Sequence, residues 1–193
     1  MFHEVSDLRD VYLPEIFDIY QESFPLNEQQ PVSWWIKFLL EKSEGGAQDR
    51  HLLALIAEEK IAGFAFYEKV VPLSVGYLSY LATRKDLRSS GLGAKLYQEI
   101  LERIFSEGCS ALVFEVEKPE VGELSSRRIA WYRRNGAKLL KGIRYIQDLG
   151  WQPPVEMDIM LHPKGNLEAD TAFSIVKSIF GQNVQQNGTL GIE

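Results

Sequence analysis

Apolar residues at Val11, Leu13, Ile16, Ile19, Tyr20 and Phe24 recur at helical spacing, which predicts a helix over 10–24 that ends before Pro25. Pro31 and the pair Gly45-Gly46 bracket a second helix over about 32–42. Trp34 and Trp35 are adjacent there and point about 100° apart, so one faces the core and the other is freer. The pattern then becomes strand-like over 51–57 and 61–71, joined by Glu58-Glu59-Lys60 as a hairpin. Residues 75–83 are apolar or aromatic on both alternating faces, as in a central strand. A helix follows to about Glu107 and stops at Gly108, its apolar pairs Leu92/Leu96, Tyr97/Leu101 and Leu101/Phe105 fitting it to a sheet. Next come a strand over 111–117, a short helix capped by Ser125-Ser126 and basic at its end, and strands over about 137–147 and 155–161. This order predicts a mixed α/β (α+β) sheet in one domain over 1–163. In the extension 164–193, Ala172, Ile175, Val176, Ile179 and Phe180 form one face of a helix over about 168–180. That face suits docking on its own domain first and a homodimer contact second, and the polar stretch from Gln182 reads as a flexible tail.

The 193 residues suffice for a sizeable core. With 27 acids against 21 bases, the net charge of −6 disfavours a nucleic-acid partner and mildly favours a cationic one. Cys109 is the only cysteine, which excludes an internal disulfide and fits a reducing compartment. Its apolar surroundings predict a buried, inert thiol. His3, His51 and His162 stand apart, so no metal site is expected. Neither a leader pattern nor a long apolar run is present, so the expectation is a cytoplasmic protein without a membrane partner.

The stretch TRKDLRSSGLGAKLYQEIL places Arg88, two serines and two glycines where strand turns into helix. Each glycine inside a helix costs about 1 kcal/mol relative to alanine. Two in one turn therefore point to a backbone that must approach something closely. The first amides of a helix lack intrahelical acceptors and carry partial positive charge, so such a loop suits an anion, and Arg88 adds a full charge. No lysine followed by serine or threonine comes after the second glycine, and a third glycine is missing, which sets aside the common nucleotide-binding loops.

The stretch VGYLSYLATRKDLRSSGLGAKLYQEIL resembles the central motif of the GNAT superfamily of acetyl-CoA-dependent N-acetyltransferases. A second segment, RRIAWYRRNGAKLL, is similar to that family's tyrosine-containing helix, with Tyr132 four residues before Gly136. The resemblance runs over about residues 2–162 and implies a single domain whose mixed, mostly antiparallel sheet has about six or seven strands. It also implies acetyl-CoA as cosubstrate, lying in a splay between the strand ending at Thr83 and the strand over 111–117. The backbone of Leu81, Ala82 and Thr83 would hold the pantetheine arm and acetyl carbonyl. The amides of Ser89, Ser90, Gly91, Leu92, Gly93 and Ala94, with Arg88, would hold the diphosphate. Ser125 stands where the family often has a pantetheine-binding asparagine, and Ala137 stands where an aromatic is usual.

Acetyl transfer needs a neutral amine, and an alkylammonium with pKa near ~10.4 is neutral only about once in ~10³·⁴ at pH 7. Leaving deprotonation to solvent adds roughly 4–5 kcal/mol to the barrier, so a base helps. Alternation puts Glu115 and Glu117 on one face of their strand, where two carboxylates would attract a cation and raise one pKa by repulsion. The strand over 73–83 carries no acid, which leaves this pair, Tyr77 or Tyr80 acting through water, or no single residue. Tyr132 suits protonation of the departing thiolate. Arg127 and Arg128 oppose the dipole of their helix and call for acidic partners among Glu117, Glu120 and Glu123. The expected acceptor is a small-molecule or peptide primary amine. Two other readings compete: a catalytically silent acyl-CoA-binding or sensor module, and a binder of some other phosphate ligand.

Overall fold

The computed structural model describes residues 1–193. Eight strands and five helices follow the chain: β1 (Phe2–Val5), α1 (Leu13–Ser23), α2 (Val32–Ser43), β2 (Arg50–Ala57), β3 (Lys60–Val70), β4 (Val75–Thr83), α3 (Leu92–Ser106), β5 (Ala111–Glu117), α4 (Glu123–Arg134), β6 (Lys138–Gln147), β7 (Val155–Pro163), α5 (Ala169–Phe180) and β8 (Val184–Ile192). They form one sheet in the order β1-β2-β3-β4-β5-β7-β6-β8. The β4–β5 pair is parallel, whereas β1–β2, β2–β3, β5–β7, β6–β7 and β6–β8 are antiparallel. The expected mixed, mostly antiparallel sheet is therefore present, with eight strands.

Two compact units divide the chain, the first comprising 1–69 and 78–103 and the second 70–77 and 104–193. The first has an aromatic core in which Tyr20 of α1, Trp35 and Phe38 of α2, Phe64 and Phe66 of β3 and Tyr80 of β4 are buried. Trp35 is buried and Trp34 half-buried, as their angular separation on α2 requires. Such rings prefer edge-to-face contact, and Tyr20 meets Tyr80 that way at 4.9 Å. α1 stops where Phe24 turns extended ahead of Pro25.

In the second unit Val113, Tyr145, Met157, Ile159 and Leu161 form a core with Ala172 and Val176 of α5 and Val184 of β8. The extension from residue 164 thus docks on this unit, with α5 over nearly the predicted residues. Its final part departs from expectation. The stretch expected to be a flexible tail is β8, paired with β6 through Tyr145↔Val184 and Leu140↔Ile192. Its polar composition marks a strand with only Val184 buried, and the pairing surface comes from β6 rather than from β8's own hydrophobicity. Gly142 makes the approach possible: its φ is +77°, and a Cβ there would lie 2.2 Å from the carbonyl oxygen of Thr189.

β1 also goes beyond the sequence pattern, four residues being too few to show a period. α4 begins after Gly122, two residues ahead of the serines expected to cap it. Ser125 is consequently a buried residue within the helix and not its cap.

Gly142→Ala forces either β8 or the turn of β6 to move. The expected loss is about 2 kcal/mol or more of unfolding free energy, a fall in melting temperature of roughly 4–8 °C. Urea and thermal unfolding followed by circular dichroism check it.

Candidate active site

The two candidate regions are built differently. In the first unit, β4 ends at Thr83 and the chain passes through a short 3-10 turn, Lys85–Leu87, into residues 88–91 before α3. Ser89 has φ +65° and Gly91 φ +85°, so left-handed residues alternate through the approach to the helix. Such alternation turns successive amides toward one concave side, a nest suited to an anion. Nothing lies within 4 Å of the position a Gly91 Cβ would take. Gly91 is therefore required by its backbone conformation and leaves open space beside it. Its carbonyl accepts the amide of Lys95 at 3.0 Å, opening the helical ladder. Ser90 is turned back, its hydroxyl donating to the carbonyl of Leu87 at 2.5 Å, so its side chain serves the loop. Arg88, Ser89, Ser90 and Gly91 are exposed, and Leu92, Gly93 and Ala94 are half-buried in the first turn of α3. Arg84 is tied to Asp86 at 2.9 Å, and Lys85 and Arg88 are the exposed cations of the connection. Upstream, Leu81 and Thr83 are half-buried and Ala82 is buried in β4. The residues expected to hold a diphosphate thus form a conformationally fit anion cradle.

The second unit carries the titratable groups. Its parallel β4–β5 ladder pairs Gly76 with Leu112 and Tyr77 with Val113. Two residues further along β5, Glu115 accepts hydrogen bonds at one oxygen, Oε1, from the Tyr77 hydroxyl at 2.8 Å and the Gln147 Nε2 amide at 2.9 Å. Its other oxygen, Oε2, is shut off from solvent with no hydrogen-bond partner, and so is Oε1 of Gln147. Burial pushes the Glu115 carboxyl up to about 7, against the two hydrogen bonds that favour its ionised form. The cause differs from the anticipated repulsion by Glu117. That carboxylate is 2.9 Å from Arg128 of α4 in a half-exposed ion pair, the acidic partner expected for this arginine. Tyr145, also held neutral by burial, is pushed further up by the charge of Glu115.

Period-two alternation sends Phe114 to the opposite face of β5 from Glu115. There the ring of Tyr132 packs at 4.4 Å from Phe114 and 4.8 Å from Trp131. Burial pushes the Tyr132 phenol up to about 12, so it keeps its proton at neutral pH. Tyr80, the other phenol considered at the sequence level, donates to the backbone carbonyl of Glu28 at 2.8 Å and is packed within the aromatic core of the first unit. Cys109 is buried, as its setting predicts.

Gln147 was not singled out from the sequence. The available signal was weak: Tyr145 and Gln147 share one face of β6, but nothing in their spacing tells that this face meets Glu115. No group of histidine, cysteine or acidic side chains is arranged to hold a metal ion. No helix is long and apolar enough to cross a membrane.

Solved structures share this architecture. A protein assigned to the GNAT family from Bacteroides thetaiotaomicron superposes with a TM-score of 0.75 at 23% identity, over 94% of this chain and 98% of its own. The ribosomal-protein-S18-alanine N-acetyltransferase of Escherichia coli gives 0.61 at 21% identity, over 87% and 97%. A Bacillus subtilis acetyltransferase in complex with CoA gives 0.58 at 13%, over 84% and 97%. No curated protein matches by sequence. The sequence profile of the acetyltransferase (GNAT) family matches residues 13–137, which include the anion cradle, the whole of β5 and the tyrosine helix. That match extends over about two thirds of the residues, and on it this chain belongs to the GNAT acetyltransferase family.

Proposed function

We propose that the protein moves an acetyl group from acetyl-CoA to a primary amine by direct attack, with Glu115 as general base and Tyr132 as proton donor. The observation that carries this reading is the Glu115 carboxyl, buried, held by two donors on one oxygen and pushed up to about 7. A base of that strength takes a proton from an ammonium at neutral pH far more readily than an ordinary carboxylate.

Acetyl-CoA supplies the activated thioester carbonyl. The alternating left-handed residues Ser89 and Gly91, the first amides of α3 and Arg88 suit its diphosphate. Leu81, Ala82 and Thr83 offer strand backbone to the pantetheine arm. Glu115 accepts the proton that the ammonium loses, the neutral nitrogen forms the new C–N bond, and the C–S bond breaks as the adduct collapses, the second nitrogen proton passing to solvent. Tyr132 gives a proton to the sulphur and recovers one from solvent. Because its phenol is held near 12, Tyr132 acts mainly by donating a strong hydrogen bond to the developing thiolate, proton transfer completing as the sulphur leaves. Glu117, paired with Arg128, fits a supporting electrostatic role better than that of base. Ser125, buried in α4, is the residue available for a pantetheine contact at that point of the helix. The net negative charge fits attraction of a cationic acceptor. The silent-module alternative accounts for the cradle but gives no reason to keep a buried carboxyl with a perturbed pKa.

Three outcomes are expected. Acetyl-CoA at a hundred times its Kd raises stability by about 2.7 kcal/mol in thermal-shift measurements, while ATP and NAD do not; stabilisation by ATP alone rejects the reading. Tyr132→Phe lowers kcat by about 10²-fold or more with acetyl-CoA affinity little changed. An unchanged kcat, where thiol release limits the rate, removes the donor role. The third concerns stability. Glu115 binds its proton more tightly in the folded chain, its pKa rising from 4.5 to about 7, so stability falls as pH climbs between those values. Glu115→Gln removes the titration. It should abolish the acid limb of the rate profile and make the protein about 2–3 kcal/mol more stable than wild type at pH 8, the gain vanishing below pH 4.5. Denaturant melts across pH read this directly.

A further inference from the structure

α5 ends on Phe180, where Gly181 adopts φ +59° and the chain turns back toward β8. The ring of Phe180 lies edge-on to Tyr77 at 5.5 Å and tilted against Tyr145 at 4.6 Å. Tyr77 is the residue whose hydroxyl holds Glu115, and Tyr145 shares its face of β6 with Gln147. Phe180 thus packs on two rings that border the Glu115–Gln147 cluster, and in that cluster two buried oxygens, Glu115 Oε2 and Gln147 Oε1, have no hydrogen-bond partner. Two such buried oxygens are costly unless something donates to them. Both are acceptors, so the missing group must bring N–H or O–H donors. A cation is favoured because one acceptor is a carboxyl group, to which a charged donor bonds more strongly than a neutral one.

We propose that the segment after Pro163 completes the acceptor side of the site: Phe180 closes the carboxyl pocket, and the acceptor enters as a primary alkylammonium. Its N–H groups go to Glu115 Oε2 and Gln147 Oε1, and its first carbons lie against Phe180 and Tyr145. The proposal rests on the acetyl-transfer reading and narrows its substrate to amines whose nitrogen is borne on an apolar chain. Phe180 and Gln147 are positioning and specificity residues here.

The groups facing the carboxyl are few. β4 contributes Tyr77, β6 contributes Tyr145 and Gln147, and β7 sets Ile159 opposite Glu115. On β5 itself Glu117 is held by Arg128. The nearest charge on α5 to its end, Lys177, is bonded to the carbonyl of Val184 at 2.8 Å. Phe180 thus adds only desolvation, and removing its ring admits water to Glu115 without removing a charge.

The test uses the full-length chain saturated with CoA and n-hexylammonium chloride as probe, titrated by calorimetry across pH. F180A and Q147L should raise its Kd about tenfold or more, F180L should stay within about threefold, and acetyl-CoA affinity should not change. In F180A the midpoint of the pH dependence should move from about 7 toward 4.5, a shift that a merely structural role would not produce. The inference is overturned if the wild type does not bind n-hexylammonium, if it binds the polar polyamine kanamycin more tightly, or if folded F180A and Q147L bind the probe as the wild type does. Should F180A not fold, Q147L alone decides by the same criterion. Probe binding weakened by these variants, with no acetylated product from any amine, rejects the acetyl-transfer reading and leaves the binding site standing. Turnover with unaltered probe binding does the reverse.

Discussion

A carboxyl group kept out of water is the constraint that the polar side chains around it in the second unit must meet. Ionised, Glu115 must rely on two hydrogen bonds to a single oxygen for the solvation that burial removes, and these do not suffice to restore an ordinary acidity. The surroundings serve that balance. β4 delivers Tyr77 through its short parallel ladder to β5, β6 delivers Tyr145 and Gln147, and α5 closes the side with an aromatic ring. Each element would be unremarkable alone. Together they give a weak acid the basicity of an imidazole.

The anion cradle of the first unit uses a different principle. Its recognition is mostly main chain: left-handed Ser89 and Gly91 orient amides, and the dipole of α3 supplies a field that no side chain carries. Side chains there keep the loop in shape, as Ser90 does by bonding to Leu87. Backbone recognition suits a diphosphate shared by many acyl donors. The side-chain cluster around Glu115 suits discrimination among acceptors.

How much of this was legible in the sequence depended on range. Elements with strong periodicity, such as α3 and the strand over 75–83, were read to within a residue or two, and the glycines of the cradle announced a backbone need before any fold was known. The pairing of β8 was not legible, because a polar edge strand has no hydrophobic signature and depends on a glycine some forty residues earlier. The pKa of Glu115 was expected to move, but through repulsion by Glu117. Glu117 is paired with Arg128 instead, and burial takes the place of repulsion. Alternation along one strand tells which residues share a face. It cannot tell what covers that face, since the covering residues lie thirty to sixty-five positions away.

The alternation of β5 has one more consequence. Glu115 and the ring of Tyr132, which packs at a tilt on Phe114, lie on opposite faces of this one strand. Burial is therefore set separately on the two sides, raising a carboxyl to about 7 on one face and a phenol to about 12 on the other. Each group is buried by its own set of neighbours, so a substitution on one face can retune one of them and leave the other as it was.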